Sequence, residues 1–515
     1  MFKLTFKIIM CVAFVTIVYS NCKDMTSGPE PEVMLAKTSF TTNTLPQDVV
    51  DSCSVSSATL ATWFADGSVT ENGFVNPANS VSFDPQNNCA FYTWSEQMFL
   101  WLTSSGSKYG GGSTVLESPV FYVVSPVNVD NTRSLEPYKA GDPLDATSYV
   151  GKADTEEGQA TGNVLLDRHG NVVYYITFVN DVYATLLNMA AQDTSSVDKF
   201  PTTQEELTEI LAFAQKSNMK ILEPNTLAME LKTSWVQLAS DMNAADFVTI
   251  SADIPVYDKV SDATWVLTDE DTTVTLALVG MHIVGSAHGH PEMIWSTFEH
   301  KYNSPNAMYQ YVNTENQVVN VGPDNTSSWL FNTNPSDTSI ANANKSFAAF
   351  THDTIVAKNG YAIQPSNTIR VLPWGSAYNL QPNQQDPNTA YANSQVISIN
   401  NSIINQLGND VRKNYTLIGS TWTFGGLAPN GQAFTANNNL QAGVGIGTSN
   451  LANTTMETNI QESSPMLSSS GNFSCFLCHS SNPASLDPKI NFGLSHIFNP
   501  LMNGLMPKPT LRKVN

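Results

Sequence analysis

The most chemically loaded stretch of this chain is Cys475-Phe476-Leu477-Cys478-His479. Two thiols three residues apart can add to the two vinyl groups of a haem, and the histidine that follows can ligate the iron from the proximal face. This CxxCH spacing predicts one covalent c-type haem, held by Cys475 and Cys478 with His479 as iron ligand. A zinc site is a poor alternative, because adjacent Cys478 and His479 aim badly at one tetrahedral centre and no second CxxC follows. A thioredoxin-like redox pair would want a βαβ context, and the flanking Ser, Asn and Pro do not offer one. A plain structural disulfide between the two cysteines stays open.

The other face of the iron has several candidates. His496 lies in the apolar run Phe492-Gly-Leu-Ser-His-Ile-Phe498, and Met456, Met466, Met502 and Met506 are alternatives, although each could equally be packing. Four of the eight histidines, His282, His288, His290 and His300, fall close together, beside Glu292 and Glu299. Strand alternation puts His282 on one face with Leu276, Leu278 and Val284, pointing into a buried layer. Buried imidazoles need partners, so this segment is expected either to form a hydrogen-bonded network or to line a metal or substrate site. On the second reading it faces the iron, with His282 or His300 the nearest polar group and Glu299 a carboxylate partner. These three are then the candidates for acid and base work. His169 and His352 read as ordinary surface residues.

Covalent haem attachment belongs to the far side of a membrane, and the start of the chain agrees. Lys3 and Lys7 precede an apolar run, Ile8 to Val18, of secretory length and too short to span a bilayer. Residues 1–21 are therefore expected to be a signal peptide and the protein exported, periplasmic or associated with the outer membrane. Cleavage after Val18-Tyr19-Ser20 and lipidation at Cys22 are both open, although Tyr19 and Asn21 depart from the usual lipoprotein box. With Cys11 in the leader and two cysteines in the CxxCH, Cys22, Cys53 and Cys89 remain. The simplest arrangement is a Cys53–Cys89 disulfide and a lipid on Cys22; three free thiols is the alternative. Residues 22–55, rich in Ser, Thr, Pro and Glu, read as a tether.

A net charge of −21 from 13% charged residues leaves no basic stripe to neutralise phosphates, which excludes nucleic acid as a partner. No apolar run of spanning length follows the leader, so membrane association would come only through Cys22. The 41% hydrophobic content is ample for a large core. Apolar spacing predicts a helix over 89–102, a second opened by a capping box of Thr202 and Glu205, and a third over 394–407 with Gly408 as cap. A hairpin over 163–178 turns at Arg168 to Asn171, and 273–284 is a long strand. The class is α+β: a β-rich body over 56–460, divisible near 240 into two subdomains, and a haem-attachment segment over 461–515. That segment is too short for a free-standing cytochrome domain, so the haem is expected to pack on the body.

The stretches Cys89 to Leu102, Gly280-Met-His282, His290-Pro-Glu-Met-Ile-Trp-Ser-Thr-Phe-Glu-His300 and Leu451-Ala-Asn-Thr-Thr-Met-Glu-Thr458, followed by the CxxCH, resemble exported bacterial proteins described as cytochrome c family proteins. The resemblance implies haem and leaves the reaction open. Three functions stay open on the sequence as a whole: an electron carrier with a redox partner still to be found, a peroxidase- or oxygenase-like haem enzyme, or a haemless binding lipoprotein with a CxxC disulfide.

Overall fold

The computed structural model describes residues 40, 44–128, 130–146, 163–193, 197–324, 328–333, 343–351, 353–358, 360–375, 387–433, 441–461, 475–480 and 492–505. The expected leader, Cys22 and most of the expected tether lie outside these residues. The last part of that tether is body, because Val49 and Cys53 are buried, Val50 N–H donates to the Val312 carbonyl, and Cys53 is disulfide-bonded to Cys89.

One large, mostly antiparallel sheet organises the chain, with helices on both sides, and strand outweighs helix. Its main path runs Gly445–Gly447, Tyr415–Thr423, His290–His300, Thr264–Ala287, Met229–Gln237, Tyr174–Asn180, Phe121–Val124 and Leu135–Pro137. The strand Met229–Gln237 pairs with Leu276 to Gly285, so sequence on both sides of residue 240 contributes to one sheet.

The long strand Thr264–Ala287 contains a bulge that matters for every residue after it. Ser234 pairs with Gly280 while Trp235 pairs with Leu278, which leaves Val279 as an extra residue. Leu276 and Leu278 therefore share one core face with Met281 and Ile283, whereas His282 and Val284 point to the other. The uniform alternation expected from the sequence does not survive the bulge, and His282 does not share a face with Leu276 and Leu278.

On the first face lies the helix Asn88–Leu102, ten of whose residues are buried. Its Phe99 stacks on Phe298 at 4.3 Å and its Phe91 on Trp422 at 3.6 Å. The helix Pro387–Ile404 joins this layer and begins earlier than its apolar stripe suggests. On the second face, Asp181–Gln192 and the C-terminal helix Phe498–Leu505 close an apolar cluster over Val284 and Trp295. The capping box of helix Gln204–Lys216 is Thr203 with Glu206, one residue beyond the pair read from sequence.

Candidate functional site

Cys475 to Cys478 form a single helical turn, closed by the His479 N–H donating to the Cys475 carbonyl at 2.9 Å. Residues three and four apart on a helix lie on one side, so this turn gathers both sulfurs and the imidazole. Neither sulfur is in a disulfide; Cys475 is half-buried and Cys478 exposed. Burial first, and then the negative charge of Glu457, holds the Cys475 thiol well above its usual range, so it stays protonated near neutrality.

Phe476 anchors the turn. It is fully buried, packs against Trp295 at 5.8 Å, and seats over Gly445, where an added Cβ would come within 2.9 Å of its ring. His479 Nδ1 donates to the Leu494 carbonyl at 2.9 Å, which fixes the tautomer with its lone pair on Nε2, the arrangement of a metal-ligating histidine. Trp295 covers one side of the ring at 4.6 Å. His496 covers another, stacked nearly parallel at 4.1 Å, with its Nε2 donating to the Cys478 carbonyl. His496, the candidate for the second face of the iron, thus lies directly beside the His479 ring.

The segment Leu451 to Gln461 ties this corner to the sheet. Thr454 N–H donates to Glu299 Oε1 at 2.7 Å, Asn453 Nδ2 donates to Thr297 Oγ1 at 2.8 Å, and Glu457 pairs with His282 at 2.9 Å. Burial would raise the Glu457 carboxyl, but the His282 and Lys232 charges outweigh it and hold the group below its ordinary value. Gly280 is needed beneath this segment, since a Cβ there would meet Thr455 Oγ1 at 2.5 Å and Ser234 Oγ at 2.6 Å. Farther along, Ser495 Oγ donates to Glu230 Oε2 at 2.6 Å and bonds Tyr183 Oη at 2.8 Å. The blocks 280–282, 290–300 and 451–458, scattered in sequence, thus meet on one face of three neighbouring strands.

The four clustered histidines do not gather. His282 is half-buried on the Trp295 face and is joined through Glu457 to the surroundings of Cys475. His300 lies an odd number of residues from Trp295 and points to the opposite face, stacked on Phe247 at 4.2 Å and against Tyr415. His290 pairs with Glu292, and His288 is exposed. Glu299 is fully buried, paired with Arg370 and accepting from the Thr454 N–H. Among the described residues no three His, Cys, Asp or Glu side chains are placed to hold a metal ion by themselves.

His300 gives a pH prediction. Burial lowers its pKa to about 3, against the hydrogen bond from Nε2 to the Asp246 carbonyl. A base whose folded pKa is depressed takes up its proton in the unfolded chain first, so stability is full above the unfolded value of about 6.5 and falls as pH drops toward 3. At pH 5 the loss from this group is about 2 kcal/mol relative to pH 8. Urea melts of wild type and His300→Asn at both pH values should show a smaller acid loss in the variant; equal losses would count against it.

Met456 is buried in a third apolar cluster with Leu165 and Phe331, which is packing. Met502 packs at the edge of the second cluster, and Met466, Met506 and His352 lie outside the described residues. His169 is not a bare surface residue, because it sits between Asp167 and Asp241, and its pKa is raised mainly by Asp167. Trp295, Phe476 and Glu457 are the site residues that motif reading misses as individuals. For Trp295 and Glu457 the one signal is membership of the blocks that precede the CxxCH, and for Phe476 its place between the two cysteines. No protein-family model matches the chain, and no curated protein or solved structure matches it either.

Proposed function

We propose that this chain is an exported protein carrying one c-type haem, attached through Cys475 and Cys478 with His479 as proximal ligand, and that it transfers electrons. The observation that carries the reading is the Cys475–Cys478 turn, with both sulfurs outside any disulfide and the His479 tautomer fixed by the Leu494 carbonyl. That donor set fits a haem: two thiols outside any disulfide and an imidazole of the right tautomer beside an apolar wall of Phe476, Trp295 and Leu494. The same facts speak against the haemless reading with a CxxC staple. A bound haem would supply one-electron redox chemistry. The chain's own part is to orient His479, to exclude water with Trp295 and Phe476, and to hold the Glu457 charge against His282 and Lys232.

On this reading the 1–21 leader directs export to the periplasm or outer membrane, and Cys22 is the lipid attachment point. The redox partner is a protein or small molecule of the same compartment. The enzyme reading keeps one supporting observation, the partly buried His282–Glu457 pair on the same face as Trp295, which could handle a proton. An absorbance spectrum and intact mass of protein made beside a haem-ligation system separate the two. Electron transfer expects one covalent haem with six-coordinate, low-spin iron; a five-coordinate, high-spin spectrum would shift the assignment to catalysis.

A further inference from the structure

A second set of reactive groups lies at the other end of the His290–His300 strand. A pocket of about 410 Å³ opens there, lined among others by His290, Phe91, Trp422 and Asn88, within the size range of small-molecule sites. Glu292 lies behind it. This side chain is fully buried, and its Oε1 accepts from His290 Nδ1 at 2.8 Å and from the Thr423 N–H at 3.2 Å. In the neutral imidazole, a carboxylate that accepts from Nδ1 fixes the tautomer in which Nε2 carries the lone pair. The imidazole is in turn held edge-on by Phe91 at 5.0 Å.

Two further features mark the place as built rather than incidental. Glu292 Oε2 is buried and without a hydrogen-bond partner among the described residues, an expense that native structures seldom carry without use. Gly426, in the left-handed region at φ 63°, brings its backbone against Gly289, where a Cβ would lie 2.1 Å from the carbonyl oxygen. Two turns are thereby pressed together into the pocket wall.

We infer that this pocket binds a neutral, hydroxyl-bearing ring compound, with His290 Nε2 accepting the ligand's hydroxyl proton. An acceptor nitrogen calls for a donor. The Asn88 amide at the rim offers both a donor and an acceptor, and the aromatic wall suits the apolar flank of a ring. Among the described residues no lysine or arginine lines the pocket, and Glu292 lies beneath it, so anions are disfavoured. A sugar ring and a phenol share the required chemistry. The site faces the Asn88–Leu102 helix and does not depend on the haem reading.

The test titrates the mature protein with methyl glucoside and with phenol, by calorimetry and ligand-observed NMR. The inference expects saturable binding of one of them, weakened at least tenfold in His290→Ala and in His290→Phe, the second keeping the ring packing on Phe91 while removing the acceptor. Which probe binds identifies the source as sugar or phenol. Binding of neither probe, unchanged affinity in a folded His290→Phe, or equal binding of glucose 6-phosphate or benzoate would each overturn it.

Discussion

Replacing Cys475 and Cys478 together by Ser is expected to abolish covalent haem altogether, while leaving the body folded. Each thioether needs its own sulfur, and no other free cysteine lies among the described residues to substitute. The structural cost is small, because Cys478 is exposed and Cys475 half-buried, and Ser is close in size to Cys. The anchoring residue of the turn, Phe476, is untouched. Wild type expressed with a haem-ligation system should therefore carry the mass of one haem in the intact protein, and the double variant should run at the apo mass with an unchanged far-ultraviolet spectrum. His479→Ala should keep the thioethers and alter the iron spectrum, since it removes the ligand and not the attachment. Wild type at the apo mass, in a host shown to load another c-type protein, would remove the haem reading entirely.

Much of the architecture was legible, because it rests on period and composition. The aromatic stripe Phe91, Trp94, Met98 and Trp101 marks a helix whose start differs by one residue from the observed Asn88, and strand alternation marks 273–284 within a longer strand. What alternation cannot reveal is a bulge. Val279 is an ordinary β-branched residue in an apolar run, yet its insertion reverses the face of every later side chain, and with it the surroundings of His282. Nor does proximity along the chain show how a cluster divides. His290 and His300 on one strand face away from Trp295, so three of the four close histidines take separate partners and His288 is exposed. The CxxCH itself is local chemistry and could be read directly. Its supports, Trp295 and Glu457, come from strands and turns far away in sequence, and only sheet pairing reveals them.

Glu299→Ala is expected to be the most destabilising single change at the docking surface, costing about 3–5 kcal/mol. Glu299 and Arg370 are both buried, with Arg370 Nη2 at 2.5 Å from Oε2 and Nε donating to Oε1 at 3.4 Å. Removing the carboxylate strands a guanidinium in the core, with Asn306 as its remaining side-chain acceptor, and also deprives the Thr454 N–H of its acceptor. Glu299→Gln should cost less, because an amide oxygen still accepts from Thr454 while the charge pairing is lost. Replacing both partners, Glu299→Met with Arg370→Met, should be milder than the sum of the single changes, since no charge is left buried alone. Urea unfolding of wild type, Glu299→Ala, Glu299→Gln, the two single Met variants and the double variant measures these differences, and limited proteolysis reads the local consequence: cleavage near 451–461 should rise in Glu299→Ala before global unfolding, as the 451–461 strap loosens from Thr297 and Glu299. A loss below about 1 kcal/mol in Glu299→Ala, or strict additivity in the double variant, would mean that the strap is held instead by Asn453 and the His282–Glu457 pair.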